Sequence, residues 1–522
     1  MSMKRYFSVV ENGVDPQGQK ELRKLTLHIN GEWKESASSS YRDCFNPSTG
    51  AVIAQIPQCT IAEMDEAVAS AKAAFAAWAA TPVGNRTQVL FRMKALIDKH
   101  LNELTELLCL EQGKTIPESK GDILKAQEVI EFACGMPHLM KGESIMNVSS
   151  GYDTVQYREP LGVFLGLVPW NFPTMIPHGW MIPICIAAGN TFVLKAASNA
   201  PQSAMRMLEL WTEAGLPKGV INLITANPKD VDHLIAHPDI VGVSFVGSSS
   251  IGLEVYKKAG AAGKRVQVLG EAKNHALVLS DCKLDRTASG IINAFCGCAG
   301  ERCMALPTLV VEEKIADALL EVLVRKAKDL KLGLAHKEAT TLGPLVNAKH
   351  KESVEACIAK GISEGAKLVL DGRNPELPAE CQDGFFVGPT IFDHVTEKMS
   401  VGREEIFGPV LCIKRVKSFE EGLTIMNNSL FANGSVIYTQ NGWAAREFAH
   451  RTHGGMVGIN VGIPVPMCVF GFTGHKRSFF GDLHVMGTDG VRFYTELKNV
   501  TSTWFVEDGG IVDTWDGMLG KK

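Results

Sequence analysis

The chain has 522 residues, of which 45% are apolar and 21% charged, with a formal net charge of −4. Such a length holds two or three domains, and such a composition is that of an ordinary soluble globular protein. The small acidic excess argues against a nucleic-acid binder, which needs a basic surplus to neutralise phosphates, and no apolar run is long enough to cross a bilayer.

The thirteen cysteines are odd in number and irregularly spaced, the pattern of reduced thiols rather than of a disulfide framework. Residues 1–26 mix Lys4 and Arg5 with Glu11, Asp15 and Glu21 and hold no apolar signal core. They read as a short extension of a cytoplasmic protein, and a mitochondrial matrix address fits less well.

In chain order, LHINGEW from Leu27 reads as a hairpin turning on Asn30-Gly31. From Ile61 to Leu108 apolar residues recur at helical spacing, which predicts at least two amphipathic helices. A further helix is expected from Ser119 to Met140, after EQGKTIPE. Between Val163 and Val246 the pattern changes to short apolar runs, VFLGLV, TFVLK, VINLIT and VGVSFV, separated by helical segments. Buried parallel strands with crossover helices have this signature, so a doubly wound α/β sheet is expected. A second α/β set follows, with the strands LPTLVVE and LVLDG and the helices IADALLEVLVRKAKDL, SFEEGLTIMNN and NGWAAREFAHR. The closing stretch GVRFYTELKNVTSTWF alternates like a strand and is suited to pair with YDTVQYREP far upstream.

Three places could carry chemistry. SFVGSSSIG follows an apolar strand and precedes a helix, so Gly247 and Gly252 frame a turn whose free amides suit a pyrophosphate. A purely structural turn fits that local pattern equally well. Lys195 ends TFVLK at the strand edge where α/β ligands sit, although by itself it reads better as a solvated lysine. CGCAGERCMAL, Cys296 to Leu306, packs three cysteines into eight residues. Zinc is disfavoured, because Cys296-Gly-Cys298 has the wrong spacing and no fourth ligand is at hand. Cys296 and Cys298 read as core filling within an apolar run. Cys303 differs: a polar approach precedes it, Arg302 favours its thiolate, and small neighbours leave room for a substrate. It is the candidate nucleophile, and no metal is expected.

PWNFP (Pro169 to Pro173), GNTFVLK ending at Lys195, SFVGS ending at Ser248, GERCMA around Cys303 and EEIFGPV (Glu404 to Val410) stand in the order and approximate spacing of the aldehyde dehydrogenase superfamily. The chain resembles that superfamily from about Leu27 to Phe505. KNH at Lys273 to His275, GERCMAL, GINVGIPVP and FTGHKRSFFGD also resemble its methylmalonate-semialdehyde dehydrogenase branch, whose members acylate coenzyme A. The resemblance implies an α/β fold with a Rossmann-type NAD-binding domain (27–141 and 161–272), an α/β catalytic domain (273–484), oligomerisation strands (142–160 and 485–505) and a tail (506–522). It also implies a homotetramer.

By the same resemblance the Cys303 sulfur attacks an aldehyde carbonyl, while the Asn171 amide and the Cys303 N–H stabilise the oxyanion. Glu405 and Phe407 hold the nicotinamide end of NAD, Lys195 the adenosine ribose and Ser248 a pyrophosphate oxygen. Val168, Trp170, Asn199, Gly247 and Gly270 complete the cofactor site. Arg302, Lys125 (where the branch has arginine) and Phe472 face an acidic semialdehyde. Ser198 stands in place of a glutamate, so weaker discrimination against NADP is expected. Hydrolytic members place a general base where this chain has Leu269, in VLGEAK; its loss favours coenzyme A as acceptor, since a thiol needs less help than water. Glu271 replaces a glycine and reads as a solvated turn residue or, less well, as a displaced base. PHGWM is one residue longer than usual after Pro177. A hydrolytic dehydrogenase and a non-catalytic binding protein of the same fold are the rival readings.

Overall fold

The computed structural model describes residues 22–504. Most of the expected N-terminal extension (1–26), Phe505 and the whole expected tail (506–522) lie outside the described residues.

Eight strands make the first sheet, in the order Glu32–Lys34, Leu27–Ile29, Ile221–Ile224, Thr191–Lys195, Val163–Leu167, Ile240–Val246, Arg265–Leu269 and Phe479–Phe480. The five from Ile221–Ile224 to Arg265–Leu269 are parallel. Strands such as VFLGL are buried along their full length, as expected of a sheet covered on both faces. The strand order reverses between Val163–Leu167 and Ile240–Val246, which opens the crevice where α/β folds bind ligands. The hairpin turn has Asn30 and Gly31 at φ 53° and 77°, the type I′ geometry that Asn-Gly favours.

Seven strands make the second sheet: Lys367–Leu370, Thr390–Asp393, Val410–Val416, Thr308–Glu312, His275–Val278, Gly434–Tyr438 and Met456–Ile459. All neighbours are parallel except the first pair. Phe479–Phe480 then returns to the first sheet and pairs antiparallel with Val268 and Leu269.

The expected helical region resolves into α1 (Ile61–Ala80) and α2 (Val83–Gln112), followed by α3 (Ile116–Cys134). The start of α3 precedes the expected Ser119 because Glu118 accepts from the N–H and hydroxyl of Thr115, at 3.0 and 2.8 Å, closing the helix end. It stops short of Met140, because the chain breaks at Gly135 and makes only a short turn over Met136–Leu139. The longer PHGWM has a structural counterpart: Ile176–Met181 is a buried π-helical turn, the form in which a helix absorbs one added residue. His178 is locked inside it, donating from Nε2 to the Ala204 carbonyl at 2.9 Å and accepting from the Trp211 indole at 3.1 Å. Burial pushes its pKa down to about 3, so it stays neutral.

The small third sheet contains Ser144–Ser149, Tyr152–Pro160 and Thr495–Thr503. The last two pair antiparallel over nine residues, from Thr495 opposite Pro160 to Thr503 opposite Tyr152. The front of the expected C-terminal strand is instead a helix, Gly487–Phe493. Val491, Phe493 and Tyr494 are buried, with the Phe164 ring 5.6 and 4.8 Å from those of Phe493 and Tyr494; packing against the first lobe overrides the alternation. Among the described residues no helix is long and apolar enough to cross a membrane.

Candidate active site

Two cavities meet at Cys303. One, of about 460 Å³, includes Lys125, Trp180, Arg302, Cys303 and Phe472 in its walls. The other, of about 230 Å³, includes Trp170, Asn171, Gly247, Glu271, Cys303 and Glu405. The turn that leads to Cys303 leaves a helix at Cys296 and passes through Cys298 and Ala299 at φ 51° and 52°, a left-handed conformation uncommon outside glycine. It is held there from α3: Glu118 accepts from the Cys298 N–H at 2.6 Å, while Arg302 Nε donates to Cys298 Sγ at 3.1 Å. Beyond it, Asn274 and Asn433 donate to the Cys303 carbonyl at 2.9 and 3.2 Å.

Cys296 is core filling, as expected, but Cys298 is more: its thiol borders the larger cavity and receives Arg302. Among the described residues no cluster could hold a metal ion. Burial pushes the Cys303 thiol up to about 12 and Glu405 adds to the rise, whereas neighbouring backbone amides and then Arg302 pull it down. The expected thiolate is therefore not the resting state, because the pull of Arg302 is weaker than desolvation. Arg302 also lies 3.7 Å from Glu118; the neighbouring Glu301, the acid its sequence context offers first, instead accepts from the Val346 N–H at 2.9 Å.

Asn171 follows the strand Val163–Leu167 at the crevice. One of its amide N–H groups donates to the Glu301 carbonyl at 3.1 Å, which leaves the other for a further acceptor. The buried Lys114 ammonium donates to the Asn171 carbonyl and to Asp122, the latter at 2.9 Å, and lies 3.8 Å from the centre of the Phe172 ring. Sequence reasoning missed Lys114; a lysine at a helix end ordinarily faces water, and nothing local marks this one as buried.

In the larger cavity, Arg302, Lys125 and Phe472 all stand in the wall, as expected. Lys125 is paired with Glu128 at 2.6 Å, and Arg302 is held by Cys298 Sγ at 3.1 Å with Glu118 3.7 Å away. Trp180, presented by the π-helical turn, packs on Phe472 with ring centres 4.6 Å apart. This aromatic pair was not singled out in the sequence.

In the smaller cavity, Trp170 meets Phe407 edge to face at 5.6 Å, and Gly247 and Ser248 precede α4 (Ser249–Ala261). A Cβ at Gly247 would lie 2.6 Å from the Phe245 ring, and one at Gly270 2.6 Å from Ser249 Oγ; both backbones pass too close for a side chain. Glu405 accepts from the Ala272 N–H at 2.9 Å. Helix-end amides, a carboxyl group and aromatic walls beside a sulfur fit the pyrophosphate, ribose and ring of a nicotinamide dinucleotide.

Val168, expected at the cofactor site, is buried in the core and lines neither cavity. Lys195 is not a solvated lysine: it is half-buried, donates to Ser198 Oγ at 3.3 Å, and is brought down to about 8 by burial and by Arg42. Ser198 and Asn199 line a separate cavity of about 440 Å³, together with Arg42 and Lys349. Leu269 is buried and offers no base. Glu271 is not a solvated turn residue either; its carboxylate accepts from the Ser249 N–H at 3.2 Å.

Glu405 yields a pH test. Burial, with a smaller push from Glu271, raises its carboxyl group from 4.5 to about 8. The folded state therefore holds a proton that the unfolded chain has lost, and the associated stability disappears as pH rises through about 8. Relative to Glu405→Gln, the wild-type protein is expected to melt several degrees lower at about pH 9 than at about pH 6. Equal differences in melting temperature at the two pH values would refute this.

Residues 33–500 match the aldehyde dehydrogenase family. The malonate-semialdehyde dehydrogenase of Bacillus cereus is 45% identical over 485 residues, covering 93% of this chain and 99% of that protein. Malonate-semialdehyde dehydrogenase 1 of Bacillus anthracis gives the same identity and coverage. Among solved structures, methylmalonate-semialdehyde dehydrogenase from Oceanimonas doudoroffii has a TM-score of 0.91 at 40% identity, covering 93% of this chain and 99% of that one. A Sinorhizobium meliloti protein, assigned as a methylmalonate-semialdehyde dehydrogenase and complexed with NAD, has a TM-score of 0.92 at 42% identity, covering 94% and 100%. A cysteine shared by two cavities stands on this pair of sheets, the relatives match from end to end, and the chain belongs to the aldehyde dehydrogenase family.

Proposed function

We propose that the protein oxidises a short acidic semialdehyde of the malonate or methylmalonate type and transfers the acyl group, with or without loss of carbon dioxide, to coenzyme A. The observation that carries this reading is the position of Cys303 in the walls of both cavities, with Arg302 beside it on the larger one. NAD, when bound, supplies the hydride acceptor. Glu405 and Phe407 would hold its nicotinamide end, Gly247 and Ser248 its phosphates, and Lys195 its adenosine ribose.

The Arg302 guanidinium receives the substrate carboxylate and so sets which carbon faces Cys303. Because the resting sulfur is a thiol, it gives its proton to water reaching the cavity as it attacks, and the backbone amides and Arg302 favour the anion. The Asn171 amide and the Cys303 N–H then hold the oxygen of the tetrahedral adduct. Oxidation leaves an acyl thioester on Cys303. Leu269 cannot activate water, so the thioester waits for a thiol whose own acidity suffices for attack. Without coenzyme A, rapid mixing with NAD and malonate semialdehyde is expected to give a burst of about one NADH per site and then stop; steady turnover at the same rate would favour the hydrolytic rival.

Cofactor choice follows from Ser198. With no carboxylate at residue 198, and with Arg42 and Lys349 lining the same cavity beside Asp43, a ribose phosphate there meets two cationic side chains and one acidic one. Ser198→Glu is expected to raise the NAD-over-NADP ratio of kcat/KM by about tenfold or more, and an unchanged ratio would contradict this. The three-stranded sheet carries exposed Ile145, Met146, Tyr157 and Leu497, which supports association into a homotetramer.

A further inference from the structure

We propose that Glu271 is a built-in competitor for the dinucleotide phosphates, seated on the N-terminus of α4 and displaced when the cofactor enters. The proposal rests on the cofactor reading above. Glu271 Oε2 accepts from the Ser249 N–H at 3.2 Å. The Glu271 N–H in turn donates to Ser249 Oγ at 2.8 Å, and that hydroxyl donates to the Arg477 carbonyl at 2.8 Å. The carboxylate thus occupies an amide at the end of a thirteen-residue helix, where the helix dipole and free N–H groups favour an anion.

Its position is fixed from below, because Gly270 has no room even for a Cβ against Ser249 and Arg477. It also lines the same cavity as Gly247, Ser248 and Glu405, and its charge is felt across that space, adding to the rise of the Glu405 carboxyl group. A pyrophosphate and a carboxylate cannot share those amides, and two like charges at one helix end repel. The family pattern that the chain resembles has glycine at this position. Its consequence is a dinucleotide that binds more weakly and leaves faster, which matters wherever product release limits turnover.

Titration calorimetry of the full chain with NAD and NADH, on wild type, Glu271→Gln and Glu271→Gly, tests the idea without reference to activity. Both variants are expected to bind about tenfold more tightly, through slower dissociation in stopped-flow fluorescence, while empty Glu271→Gly melts at a lower temperature because the helix end has lost an acceptor. A merely structural role predicts the lower melting temperature without the tighter binding. Unchanged or weaker binding in both variants, or a cofactor-bound crystal structure with Glu271 still on the Ser249 amide, overturns the proposal alone. No dinucleotide binding by any of the three overturns the cofactor reading together with it.

Discussion

Replacing Cys303 with alanine is expected to lower kcat on any aldehyde substrate by roughly 10⁴-fold or more, with the fold and the affinity for NAD retained. Cys303 borders both cavities, and Cys298, the other cysteine at the site, borders only the larger one. Cys298 is also held well above the ordinary thiol range, at about 11, chiefly by burial. Cys298→Ala is therefore the control, expected to stay within about tenfold of wild type. Mass spectrometry of protein mixed with aldehyde and NAD but no thiol acceptor is expected to place the acyl adduct on Cys303; an adduct elsewhere, or a Cys303→Ala protein that still turns over, would end this account. The raised thiol also sets a sign: alkylation of the empty protein is expected to accelerate by about tenfold per pH unit through the neutral range, because each unit below the pKa reduces the thiolate tenfold.

The second large effect is expected at Asn171. Removing one donor from an oxyanion site ordinarily lowers the rate by about 10²–10³-fold, and Asn171→Ala is expected to do so in kcat, with little change in NAD affinity. The reason is geometric. The Asn171 backbone is gripped by Lys114 and its side chain by the Glu301 carbonyl, so the remaining N–H is fixed before a substrate arrives. Pre-set donors stabilise a developing charge without reorganising. If kcat falls by less than about fivefold while KM rises, the residue contributes binding rather than transition-state stabilisation.

The strands were legible in the sequence wherever burial on both faces made them continuous apolar runs, as in VFLGL and TFVLK. The distant pairing of YDTVQYREP was legible from strand-like sequence in both segments, although neither strand alternates between buried and exposed residues. What escaped was set by tertiary contact. The Gly487–Phe493 helix is built from residues that alternate like a strand, and only the aromatic contacts with Phe164 decide otherwise. The early start of α3 was written in Thr115 and Glu118, a signature available but not used. At the site, the motif residues Asn171, Cys303 and Glu405 lie together in one cavity wall. Lys114, Trp180 and the helix-end contact of Glu271 were hidden, since each depends on segments brought together only by folding.

The nine-residue ladder between Tyr152–Pro160 and Thr495–Thr503 has a temporal consequence. As the chain leaves a ribosome, residues 152–160 emerge more than three hundred residues before their partner, so that strand must wait with an open edge until synthesis is almost finished. A protein that ends early keeps most of both lobes yet lacks the strand that closes this sheet. The strand Thr495–Thr503 thus acts as a certificate of completeness for whatever assembles on that surface.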